Sequence, residues 1–265
     1  MVRIGITGGI GSGKSVVSRV FGLLGIPLYD SDQRARWVME HDAQLREQLL
    51  SAFGPDTYTA AGQLNRPALA RTVFADPAQL AQLNALVHPR VGDDFARWAA
   101  AQQAAGAPYL LKEAALLFES GAYKTLDRII TVAAPLAVRE ARVLRRDPHR
   151  TAADVQAIIG KQLSEDERQQ RADYVVHNDD VQLVLPQVLA LDAQLRALGA
   201  SGRVAGAPGA ALADDGAALE GPVAVEKKAV GGVGFADFGA DGTRGHQHPR
   251  VEVANPVHLN IGVAT

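Results

Sequence analysis

The stretch Val2-Arg3-Ile4-Gly5-Ile6-Thr7-Gly8-Gly9-Ile10-Gly11-Ser12-Gly13-Lys14-Ser15 decides the fold. Its first six residues form a short apolar run ending in glycines, the pattern of a strand buried inside a parallel sheet. Gly8 to Ser15 then satisfies G-x-x-x-x-G-K-[ST], the phosphate-binding loop. Glycines let the backbone wrap tightly, so that its N–H groups converge on phosphate oxygens. A helix opening near Lys14 adds the positive end of its dipole. Lys14 supplies a mobile charge for the β- and γ-phosphates. The Ser15 hydroxyl suits Mg²⁺, which takes few protein ligands beside phosphate oxygens and waters.

Working outward, residues 15–24 read as a helix with Val16, Val17, Val20, Phe21 and Leu24 on one face, stopped by Gly25. Residues 26–29, 109–111, 128–132 and 174–177 read as four further strands, and 181–198 as a final helix. Residues 33–104 form a long helical insert, broken at Gly54-Pro55-Asp56 and at Asp76-Pro77. Trp37 and Trp98 sit among apolar helix positions and read as core. The expected class is α/β: a five-stranded parallel sheet flanked by helices, with a helical insert and an Arg-rich lid over about 139–171.

Composition narrows the function. The 265 residues include no cysteine, which excludes disulfides, thiolate metal sites and cysteine nucleophiles. A net charge of −2 offers no global attraction for nucleic acid or an anionic membrane. No apolar run approaches the ~18–20 residues of a membrane helix, and turn glycines arrive within the first eight residues, unlike a secretion signal. A cytoplasmic protein is expected. Residues 1–199 carry 22 basic and 22 acidic side chains, whereas the last 66 hold 12 of the 26 glycines. Residues 200–265 therefore read as a Gly/Ala-rich disordered tail, with short β-like stretches that leave a small appended module open. His246, His248 and His258 in it read as solvated surface rather than a metal site.

The chemistry after the loop is set by Asp30-Ser31-Asp32, two carboxylates just past a strand end, where open α/β sheets bind ligands. With the second strand flanking the first, Asp32 would face the γ-phosphate and could accept a proton from an attacking hydroxyl. Asp30 reads equally well as a helix N-cap. No Asn-Lys-x-Asp guanine reader occurs. Arg139, Arg142, Arg145, Arg146 and Arg150 crowd one helix and the loop after it. Arg142 and Arg146, at i and i+4, are the lid residues that would neutralise the transferring phosphoryl group; Arg139 and Arg145 read as surface.

Thr7-Gly8-Gly9-Ile10-Gly11-Ser12-Gly13-Lys14-Ser15, Asp30-Ser31-Asp32 and Ala35-Arg36 together resemble the dephospho-coenzyme A kinases. Further matches follow in order: Leu64-Asn65-Arg66, Leu83-Asn84, Val87-His88-Pro89, Leu116-Leu117-Phe118-Glu119-Ser120-Gly121, Arg142 with Arg146-Asp147, Gln162, and Arg171-Ala172-Asp173-Tyr174-Val175-Val176 closing at Asn178. The resemblance spans about residues 2–198. It implies transfer of the ATP γ-phosphoryl group to the ribose 3′-hydroxyl of dephospho-CoA. Gly11, Ser12, Gly13, Lys14, Ser15 and Val16 would hold ATP, with Asp32, Lys14, Arg142 and Arg146 as catalytic residues. Asp30, Arg36, Arg66 and His88 would form the acceptor wall. His88 before Pro89 also reads as a helix-end residue. The family usually has Thr where Val16 stands, and often Asp and Pro where Glu113 and Ala115 stand. Glu113 would order a magnesium-bound water or, equally well, make a structural hydrogen bond. A shikimate-type kinase and a regulatory ATPase without an acceptor are the competing readings, and the oligomeric state is open.

Overall fold

A computed structural model describes residues 1–201. Strands β1 (Val2–Thr7), β2 (Leu28–Asp30), β3 (Tyr109–Glu113), β4 (Arg128–Ala133) and β5 (Tyr174–His177) form one parallel sheet in the order β2-β3-β1-β4-β5. β2 therefore does not flank β1, as the sequence reading supposed; β3 lies between them. All five residues of β3 are buried, so it belongs in the interior of the sheet, whereas three-residue β2 suits an edge.

Between β1 and β2 runs α1 (Lys14–Leu23). Between β2 and β3 the chain makes α2 (Ser31–His41), α3 (Ala43–Phe53), a short 3₁₀ turn at Pro55–Thr57, α4 (Arg66–Ala75) and α5 (Pro77–Ala104). After β4 come α6 (Leu136–Arg146), α7 (Ala152–Ile159) and α8 (Glu165–Arg171), and α9 (Val184–Ser201) follows β5. Asp76 caps α5 and Pro77 opens it, as the break in the sequence foretold. His88-Pro89, however, lies inside α5 rather than at a helix end, because the neighbouring elements hold that 28-residue helix together through the proline.

Alternation along β1 separates two cores. Val2, Ile4 and Ile6 pack with Val17, Phe21, Leu191 and Leu195 on the face covered by α1 and α9. On the opposite face Leu110, Leu117 and Ile129 pack with Tyr29 and Phe95. Gly5 serves that second core: a Cβ there would stand 2.7 Å from Leu117 and Leu126. The insert has its own core, in which Val38, Met39, Leu45, Leu49, Val73 and Leu83 are buried. An Asp94 carboxylate on α5 ties the insert to the sheet, accepting from Tyr29 Oη at 2.8 Å and from Arg34 Nη2 at 2.6 Å.

Three local expectations change. Val16 is exposed, because the buried stripe of α1 is narrower and runs through Val17, Ser18 and Phe21. Trp37 is also exposed, stacked on His41 at 4.6 Å with the Arg34 guanidinium 4.2 Å from its ring; Trp98 does pack against the core. The last helix starts at Val184 rather than 181 because Asp179 accepts from the backbone N–H groups of Val181 and Gln182, making a turn there. The tail expected over 200–265, with its three histidines, lies outside the described residues beyond Ser201.

Candidate active site

The phosphate-binding loop leaves the C-terminal end of β1 and runs into α1. Gly11 and Gly13 adopt φ of 79° and 85°, conformations that cost a side-chain residue energy. Several side chains from far along the chain hold the loop. Gln162 Oε1 accepts from Ile10 N at 2.9 Å, and Asn178 Nδ2 donates to Ser12 O at 2.7 Å. Arg142 Nη1 donates to Asn178 O at 2.9 Å and to Gly11 O at 3.4 Å. Gln162 and Asn178 thus act on the loop itself, a role that their places in the family pattern did not disclose.

Arg139, expected at the surface, is buried against the loop at 4% exposure. Arg139 lies three residues before Arg142 on the same helical face, but spacing alone does not say that this face meets the loop. Its Nε donates to Ala134 O at 3.1 Å, and a Glu165 carboxylate lies 3.8 Å from Nη2. Arg168, equally buried, donates to the same carboxylate at 2.6 Å. A Cβ on Gly9 would stand 2.1 Å from Arg139 Nη1, and one on Gly11 would stand 2.4 Å from Arg139 O. These two glycines therefore permit close approach of the lid as well as the loop's own turn. Arg146 is exposed and donates to Asp147 at 2.8 Å. The structure brings Arg142 to the loop and leaves Arg146 turned to solvent.

At the end of β3, Glu113 faces α1. Its Oε1 accepts from the Lys14 ammonium and, at 2.7 Å, from Ser15 Oγ. Burial alone would raise the Glu113 carboxyl; the Lys14 charge and the hydrogen bonds from Lys14 and Ser15 outweigh it and hold the group below the ordinary glutamate value. The register explains this convergence, because Glu113 pairs with Ile6 on one side and with Asp30 on the other.

Asp30 is the N-cap of α2, its carboxylate accepting from Gln33 N at 2.9 Å. Asp32 lies in the first turn. Burial raises its carboxyl above the usual aspartate range; Lys14 and Arg36 oppose that rise, and Asp30 and Glu113 add to it. Asp32 thus shares one electrostatic neighbourhood with Lys14 and Glu113, although β3 intervenes between β1 and β2. From the insert, Arg36 and Arg66 act on one another: burial first, and then the Arg36 charge, push the Arg66 guanidinium down. His88 is half-buried, lowered by burial and by the Lys112 charge.

Comparison with known proteins agrees with this geometry. The family model for dephospho-CoA kinase (CoaE) matches residues 2–183. The dephospho-CoA kinase of Bacteroides fragilis is 37% identical over 194 residues, covering 73% of this chain and 93% of its own. That of Deinococcus radiodurans is 42% identical over 176 residues, covering 66% and 83%. The crystal structure of TT1252 from Thermus thermophilus is 36% identical with a TM-score of 0.61, over 74% of this chain and 97% of that one. The dephospho-CoA kinase of Campylobacter jejuni, 21% identical with a TM-score of 0.56, shares the fold. A nucleotide loop, a carboxylate beside it, a helical insert and this breadth of similarity lead to one conclusion: the chain belongs to the dephospho-CoA kinase family.

Proposed function

We propose that the chain phosphorylates dephospho-CoA through the groups gathered at the end of β1, β3 and β2. The ribose 3′-oxygen attacks the γ-phosphorus of ATP, the bond from that phosphorus to the β–γ bridging oxygen breaks, and CoA and ADP result. Asp32 takes the proton that the hydroxyl loses. Lys14 and Arg142 offset negative charge on the phosphates, which is the main catalytic demand of phosphoryl transfer. The observation that carries the reading is the shared neighbourhood of Asp32, Lys14 and Glu113 beside the phosphate loop.

The residues present also fit Mg²⁺. Ser15 Oγ and Glu113 Oε1, 2.7 Å apart, are hard oxygen donors beside the loop, the set this ion prefers when phosphates complete its shell. Ser15 would hold it, with Glu113 orienting a water. When bound, the ion supplies charge neutralisation at the phosphates. ATP as co-substrate follows from family membership. Among the described residues no helix is long and apolar enough to cross a membrane, and we place the reaction in the cytoplasm.

Glu113 holds Lys14 and Ser15 at a common oxygen, which orients both toward the place where the triphosphate would lie. Arg36, Arg66 and His88 line the insert side and would hold the acceptor, while Asp30 acts through the start of α2 by capping it. The test is purified protein with Mg-ATP, offered dephospho-CoA, shikimate or no acceptor. ADP formation should require dephospho-CoA, with CoA appearing in equal amount. ADP release without an acceptor, or turnover of shikimate instead, would overturn the reading.

A further inference from the structure

Lys112 is an unusual residue to find inside a parallel sheet. It is 5% exposed as the fourth of the five residues of β3, paired in register with Gly5 on one side and Tyr29 on the other. Its neighbours Leu111 and Glu113 face α1, so Lys112 points the other way, toward α5. There its ammonium stands 4.2 Å from the centre of the Phe95 ring. No hydrogen bond and no ion pair holds it among the described residues; the carboxylate of Asp94, the residue before Phe95, is taken up by Arg34 and Tyr29. Burial pushes its amine down to about 8, and no acidic group offsets that effect.

A buried cation without a partner is costly, and an apolar residue at this place would serve the core better. A ring face offsets only part of that cost. His88 lies seven residues before Phe95, two turns along α5 on the same face, and feels the Lys112 charge. The two basic groups, one on β3 and one on α5, therefore share one electrostatic neighbourhood. They do so one residue from Glu113, on the side of the sheet where the insert stands. Dephospho-CoA carries a diphosphate beside the ribose that reacts, and the missing counter-charge matches it.

We infer that Lys112, with His88 beside it, receives the diphosphate of the acceptor. The flexible four-carbon stem lets the ammonium swing from the Phe95 ring to an oxyanion. The phosphate loop and Lys14 hold ATP on the other face of β3, so Lys112 distinguishes acceptor from donor by position. This inference rests on dephospho-CoA being the acceptor, which turnover by the unaltered enzyme tests separately.

The experiment compares the full-length protein with Lys112→Met, Lys112→Gln and Lys112→Arg. Calorimetry would measure binding of dephospho-CoA, of adenosine, which has the same ribose and no diphosphate, and of ATP. Lys112→Met and Lys112→Gln should weaken dephospho-CoA binding at least tenfold and leave ATP and adenosine within about twofold. In steady-state assays KM for dephospho-CoA should rise while kcat changes little, and Lys112→Arg should recover part of the loss. The melting temperature of Lys112→Met should hold or rise, since a buried unpaired charge is removed. Unchanged dephospho-CoA binding in the uncharged variants would overturn the inference. So would an equal loss for dephospho-CoA and adenosine, or a loss shared by ATP, because either would mark a purely structural lysine.

Discussion

As the proposed base, Asp32 must meet two demands: it must be ionised at working pH and still hold a proton well enough to take one. Burial supplies the second by raising its carboxyl, while Lys14 and Arg36 keep ionisation within reach. The base works deprotonated, so activity is lost as pH falls through this raised value. The acid limb of kcat/KM should therefore lie above about pH 4, the ordinary aspartate position. A limb at or below that value would show that another group controls the profile. Asp32→Asn should lower kcat by roughly 10²–10⁴-fold while ATP binding stays near normal. Retention of nearly full kcat would require a different base. Lys14 and Glu113 form a covered pair, 13% and 7% exposed at their side chains. Lys14→Ala should abolish turnover and also lower unfolding free energy by about 3–5 kcal/mol in denaturant titration, because it strands the Glu113 carboxylate. The places of Lys14 and Ser15 at the end of the loop were legible because the spacing of the motif fixes them. The burial of Arg139 was not, since a run of arginines does not say which of them meets a loop 130 residues earlier in the chain.

At the scale of elements, the loop and the segments that pack on it are matched surfaces. Gly9 and Gly11 admit Arg139, and Arg142, Gln162 and Asn178 reach the loop backbone from α6, the segment before α8 and the end of β5. A methyl group on Gly11 meets both a positive φ of 79° and the Arg139 carbonyl. Gly11→Ala should raise the dissociation constant for ATP at least tenfold, read by calorimetry. Gly22 sits inside α1 with nothing within 4 Å of an added Cβ. Gly22→Ala should stabilise the fold by about 0.5–1 kcal/mol and leave kinetics unchanged. Opposite outcomes for two glycines eleven residues apart would confirm that the loop glycines are there for approach rather than for flexibility alone. Most elements were legible from apolar periodicity, and Tyr174–His177 and Val2–Thr7 kept their expected bounds. Strand order was not legible. Whether β2 or β3 pairs with β1 depends on how the insert folds back, and periodicity within a strand carries no information about its neighbour.

At the scale of the molecule, three hydrophobic clusters divide the labour: two sandwich the sheet, and a third gives the insert, the proposed acceptor side, a core of its own. The family match ends at residue 183, and α9 completes the core with Val188, Leu191 and Leu195. A chain ending at Ser201 should keep kcat/KM within about twofold of the full 265 residues; a large loss would assign the remainder a part in folding or catalysis. The central claim is that Asp32 faces an alcohol held in line with a nucleotide seated on the Gly8–Ser15 loop. A crystal structure with a non-hydrolysable ATP analogue, Mg²⁺ and dephospho-CoA tests it most directly. The account predicts an Asp32 carboxylate oxygen within about 3.2 Å of the ribose 3′-oxygen. An Asp32 turned away from that hydroxyl, with another base in its place, would contradict it.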